Sequence, residues 1–229
     1  TDIYLPTLPR ISDEFGATAT HAQLSLTGFM AGMMLGQLFF GPLADRFGRR
    51  GPLIIGTVLF VLASAATVVA PSIEVLIAAR LVQGFSGAAA TVIARAIVTD
   101  LARGQEAARA MNLLLVILGA APIIAPLLGG LFADTLGWRG LLGIVLALGL
   151  VMLVLALVVV RETYPRAMRE QARVAKQAGS VPLRTLASRQ YIGYTIAFAF
   201  AFGMMMAYIS GSPFLFQRMA GLNEFQYSL

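Results

Sequence analysis

Two uncharged runs of 23 residues, 22–44 and 51–73, sit on either side of one basic decapeptide, GPLADRFGRR at 41–50. Each run is long enough to cross a hydrocarbon layer of about 30 Å as a helix. The decapeptide holds three arginines, one aspartate and two glycines, Gly41 and Gly48, which are read as allowing a tight turn. A short loop this basic marks the cytoplasmic side of a membrane, because the positive-inside bias is counted over short loops near span ends. The topology of the remaining chain then follows by alternation.

Four further uncharged or nearly uncharged runs follow: 75–94, interrupted only by Arg80, then 110–133, 140–160 and 190–217. Residues 1–9 read as the last turns of another span, ended by Pro6, Pro9 and the polar stretch 10–21. Seven spans result, with an eighth starting near Phe225. The expected fold class is all-α, a polytopic membrane helical bundle. Alternation puts 41–51, 95–109 and 161–189 in the cytoplasm, with 13 of the 17 Lys and Arg residues against three outside (Arg10, Arg139, Arg218). The expected organisation is a six-helix domain over 1–160, a basic cytoplasmic linker over 161–189 with seven basic and two acidic residues, and the start of a second domain over 190–229. The linker's basic face suits anionic lipid. The chain opens without methionine and closes as a new apolar stretch begins, so it is expected to be a piece of a longer protein.

Composition closes off other classes. With 58% hydrophobic and 12% charged residues, this is no water-soluble globule, which carries about 25% charged residues. The net charge of +6 does not point to nucleic acid, because the basic residues lie between apolar runs without interleaved stacking aromatics. There is no cysteine, and His21 is the only histidine, so neither a thiolate nor a histidine metal cluster can be built. No cofactor is implied, and no nucleophile–base pair suggests an enzyme.

Arg80 is the most informative single residue. A charge near the centre of a membrane helix costs about 2.5–3.5 kcal/mol on insertion scales, so it faces the bundle interior and a partner. Arg80, Gln83, Gly84 and Gly87 share one helix face. The alternative is an arginine that snorkels to the outer end. Asp2 is the one carboxylate at an intramembrane position outside the loops, where desolvation raises a pKa and a nearby guanidinium lowers it. That balance suits proton exchange; the alternative is an exposed acid at a frayed end. Two small-residue seams appear, Gly28/Gly32/Gly36 in the second span and Gly119/Pro122/Pro126/Gly129 in the fifth. They are either plain helix packing or rocking surfaces against a second half. Asp45 is placed to cap another helix, and Asp100 to pair with a basic group at the same end. Met204, Met205, Met206 and Tyr208 line an adaptable pocket or face lipid. His21 and Trp138 are read as interface residues with no further role.

These motifs resemble those of the major facilitator superfamily. GPLADRFGRR is similar to its loop signature between helices 2 and 3, Arg80-Leu-Val-Gln83-Gly84 to its fourth-helix motif, and Ala125-Pro126-Leu-Leu-Gly129-Gly130 to its antiporter motif in helix 5. Thr1-Asp2-Ile-Tyr4-Leu-Pro6 resembles the first-helix motif of drug exporters, most closely the bicyclomycin-resistance branch. Ala121 and Ala125 depart from the antiporter pattern, which has glycine there. The resemblance implies the major facilitator fold, here an N-terminal half plus the start of the C-terminal half. It implies a proton-driven exporter of small amphipathic drugs in a bacterial inner membrane, with lipid, protons, drug and the missing C-terminal half as partners. Asp2 would be the protonation site and Arg80 the coupling residue. Tyr4, Gln83 and Tyr208 are the substrate-pocket candidates. Gly41, Asp45, Arg46, Gly48, Arg49 and Asp100 would form the cytoplasmic gate. Pro122, Pro126, Gly129 and Gly130 would shape the antiporter-motif helix, and both glycine seams would face the missing half. A symporter or facilitator for a defined solute remains the alternative, because the loop signature is shared across the superfamily. A non-transporting scaffold is a second.

Overall fold

The computed structural model describes residues 2–171 and 188–228; Thr1, Leu229 and the linker stretch 172–187, with Arg173, Lys176 and Arg184, lie outside them. A 3-10 turn (Asp2–Thr7) leads into α1 (Leu8–Glu14), then α2 (Ala19–Phe47), α3 (Arg50–Val68), α4 (Ile73–Leu101), α5 (Gly104–Val158) and α6 (Arg189–Phe214). A π turn (Leu215–Met219) and a short α7 (Glu224–Ser228) follow. No strand occurs among the described residues. Five helices there are long and apolar enough to cross a membrane. The 55-residue α5 is two spans in one, because Gly137 breaks it with φ 62° and ψ 179°. Only a residue without Cβ takes that conformation at no steric cost. The two arms match the expected runs 110–133 and 140–160.

Helix starts follow local chemistry. Thr18 and Ser72 accept the backbone N–H of His21 and Val75 at the heads of α2 and α4, and Ser188 accepts that of Tyr191 at the head of α6. Pro9 does not end the first span as expected. It falls in the first turn of α1, where its missing N–H costs nothing, and the helix runs on to Glu14.

The buried apolar residues form two lobes. Tyr4, Leu8, Ile11, Leu26, Leu76, Trp138, Leu141 and Leu142 belong to one, and Phe40, Ala44, Leu53, Ala89, Ile93 and Ala156 to the other. Between them in chain order lie buried polar groups: Ser64, Arg80, Gln83 and Ser86.

The second-span seam faces α4 of this same chain. A Cβ on Gly32 would meet the carbonyl oxygen of Leu81 at 2.0 Å, one on Gly36 that of Phe85 at 2.1 Å, and one on Gly84 that of Phe29 at 2.0 Å. This corrects the expectation that the seam faces helices outside the chain; it is backbone-to-backbone packing of two neighbours. The fifth-span seam divides. Gly129 lies against the Ile3 carbonyl and Gly130 against Ser228, whereas Gly119 meets nothing within 4 Å.

Candidate functional site

Three polar constellations occupy the bundle, one at each end and one between. In the middle, Arg80 is fully buried and does not snorkel. Its Nη1 donates to Gln83 Oε1 at 2.7 Å, and Gln83 Nε2 donates to Ser64 Oγ on α3 at 2.6 Å. The guanidinium lies over two rings, Tyr4 at 4.5 Å and Phe29 at 4.6 Å, which solvate a cation by their quadrupoles where water cannot. Tyr4 is fixed by its hydroxyl, 3.0 Å from Ser25 Oγ. Tyr4 and Gln83, both pocket candidates, therefore both contact Arg80.

Asp2 sits two residues before Tyr4 and lines a neighbouring cavity of about 210 Å³. Leu5, Pro122, Pro126, Tyr208, Ser212 and Tyr227 share that lining. Asp2, Tyr208 and the two fifth-span prolines thus meet where the first span, α5 and α6 converge. Tyr208 is otherwise exposed, as are Met204 and Met205.

The 41–51 end holds an arginine knot. Arg49, almost fully buried, donates through Nε to Asp100 Oδ2 at 2.9 Å and through Nη2 to Oδ1 at 3.4 Å. Its Nη1 reaches Asp45 at 2.8 Å, and the Tyr164 ring lies beneath its guanidinium at 4.4 Å. Burial opposes the Arg49 charge, but the bonds to Asp100 and Asp45 outweigh it and hold the group more firmly protonated. Asp45 bonds Arg49 from the exposed side of the knot. A carboxylate that caps α3 is Glu162, which the sequence reading did not single out. It accepts the N–H of Arg49 at 2.8 Å, of Arg50 at 3.3 Å and of Tyr164 at 3.0 Å. α3 begins on Arg49 without a side-chain cap of its own. That missing Ser, Thr, Asp or Asn was the one available sign that an acid from elsewhere would serve. Burial pushes the Glu162 carboxyl up, but the three N–H bonds and the Arg169 charge bring it below the ordinary range.

Gly48 makes the turn, with φ 95° and Glu162 pressed where a Cβ would be. Gly41 does not: it lies inside α2 with open space beside it, and the helix continues six residues further. Arg46 is exposed, and its carbonyl accepts from Arg169 at 3.1 Å.

The opposite end gathers the other loops. Trp138 Nε1 donates to Glu14 at 2.6 Å, with Arg139 over its ring at 4.1 Å and also bonded to Glu14. Trp138 is buried, so it holds this knot and is no interface residue. The Glu14 carboxyl is lowered first by its bond to Arg139, then by that to Trp138. Arg10 bridges Asp134 and Glu224, Arg218 bonds Ser12 and Asp13, and Gln217 Nε2 donates to the Pro6 carbonyl. Contacts thus sort the loops into the two sets that strict alternation requires. No group of acids and histidines that could hold a metal occurs among the described residues.

Apolar helices with charge gathered at their ends and one buried arginine between define a polytopic membrane protein. The chain belongs to the Major Facilitator Superfamily, whose family model covers residues 1–229. It is 36% identical to the uncharacterized MFS-type transporter YdgK of Bacillus subtilis, over 100% of this chain and 57% of that protein. It is 28% identical to a bicyclomycin resistance protein homolog of Haemophilus influenzae (99% and 56%) and 29% identical to the multidrug resistance protein MdtL of Klebsiella pneumoniae (100% and 57%). The chain therefore spans little more than half the length of these relatives. The crystal structure of a D-xylose-proton symporter shares the fold at TM-score 0.58 and 17% identity, over 99% of this chain and 61% of that one.

Proposed function

We propose that the protein carrying this chain expels small amphipathic drugs from the bacterial cytoplasm in exchange for protons, by alternating access across the inner membrane. Asp2 carries the proton, and Arg80, stacked on Tyr4 two residues away, couples its charge state to the first span. The 41–51 end, with Arg49, Asp100 and Glu162, is the cytoplasmic latch, and the 161–189 linker lies on that side. The observation that carries this reading is the cavity joining Asp2 to Tyr208 and to Pro122 and Pro126, where a carboxylate, an aromatic and a proline-containing helix face one space. The likeness to bicyclomycin and multidrug resistance proteins supports the drug as cargo. A membrane potential of 100 mV supplies about 2.3 kcal/mol per proton. The test is drug-dependent proton release from the full-length protein in liposomes. Release is expected, and Asp2→Asn abolishes it. Absence of release at any pH, or an Asn variant that still exports, overturns the reading.

A further inference from the structure

Glu224 differs from every other acid at the 10–21 end. Its side chain is 5% exposed, against 65% for Asp134 and 72% for Asp13. Arg10 Nε lies 2.6 Å from Oε1, yet among the described residues neither oxygen receives a hydrogen bond of good geometry. Arg10 is itself half exposed and also holds Asp134 Oδ1 at 2.5 Å. One cation therefore faces two carboxylates, so the triad has a net charge of −1 unless one of them takes up a proton. The segment that carries Glu224 is docked on the first six spans at this end by polar contacts and by close packing. Arg218 holds Ser12 and Asp13, Gln217 holds Pro6, and Gly130 lets α7 lie flush on α5.

We propose that Glu224 is a proton-binding latch: protonated, it stays buried under Arg10 and holds the outer ends of the two halves together; ionised, it leaves and that end opens. An ionised carboxylate whose two buried oxygens receive no well-aligned hydrogen bond, and whose one cation is shared with Asp134, is costly, and a proton lowers that cost. Burial raises its pKa above the ordinary value, Arg10 opposes this and Asp134 adds to it. The remaining charged or titratable groups on the elements packed there are engaged or turned elsewhere. Arg218 is bonded to Asp13, Arg139 to Glu14 and Tyr227 to Ser212, and Asp2 lines the adjoining cavity. A pKa raised in the closed state means that acid favours closure. The preference is complete below the ordinary carboxylate value and is lost as pH rises through the raised one.

The inference rests on the transport reading only for which side opens, and its test does not need transport. Spin labels can be placed on cysteines introduced at the exposed Thr20 and Met219 of a cysteine-free full-length protein in nanodiscs. Pulsed EPR is expected to show a short distance at about pH 5 that gives way to a longer one by about pH 9, with the midpoint above the ordinary carboxylate range. Glu224→Gln keeps the short distance at every pH. Asp134→Asn lowers the midpoint. A wild-type distance that ignores pH, or a pH response that survives Glu224→Gln, overturns the latch. Proton release measured on the same preparation reports separately on Asp2.

Discussion

The α2–α4 seam makes opposite predictions for one substitution at two places in one helix. Glycine to alanine favours any helix interior by about 1 kcal/mol. At Gly41 the new methyl meets nothing within 4 Å, so that gain stands alone. At Gly32 it would lie 2.0 Å from the Leu81 carbonyl oxygen, and ordinary contact begins at 3.4 Å. The helices must part by about 1.4 Å along that line, and the obstacle is backbone, with no rotamer to turn away. A gap of 0.5–1 Å already loses a quarter to a half of each dispersion contact, and the separation propagates to Gly28, Gly36 and Gly84. The overpacking cost lies near the upper end of its usual range, about 3 kcal/mol, leaving a net loss of about 2 kcal/mol. Melting followed by fluorescence-detected size exclusion should place Gly32→Ala about 4–8 °C below wild type and Gly41→Ala about 2–4 °C above it. Shifts of the same sign and size at both positions would refute the packing argument.

Other expectations concern the buried polar groups. Asp100→Asn should cost about 3 kcal/mol, because it strands a buried guanidinium, whereas Asp45→Asn, at the exposed end of the same knot, should cost less than about 1 kcal/mol in the same melting assay. Gln83→Leu removes the Nη1 acceptor of Arg80 and should cost about 1.5–3 kcal/mol; Ser64→Ala should cost less, since it disturbs only the orientation of Gln83. The Glu162 carboxyl titrates below its ordinary value, so its hold on Arg49 and Arg50 is complete above that value and fails as pH falls through the lowered one. Hydrogen-exchange protection at Arg49 and Arg50, corrected for intrinsic pH dependence, should fall there and should already be low in Glu162→Gln at neutral pH.

Span positions were legible because hydrocarbon imposes one rule on every residue in a run, and a 20-residue run without charge has few other meanings. Arg80 was legible for the same reason: its cost fixed its direction before any partner was known. The glycine seams were not, because Gly28, Gly32 and Gly36 state that something approaches closely and say nothing of what. Gly41 and Gly48 look alike in the decapeptide, yet only the second stands where a positive φ is needed. Glu162 and Glu224 were passed over because their roles depend on backbone donors and a shared arginine more than 100 residues away. Local spacing carries no trace of such pairings.

The cap on α3 comes from an acid 113 residues downstream of the amide that it holds. As the chain leaves the ribosome, the hairpin of α2 and α3 can insert, but the N–H groups of Arg49 and Arg50 are left to water until the sixth span has been threaded and residue 162 has emerged. The first basic loop thus gains this carboxylate only from a residue that follows the sixth span.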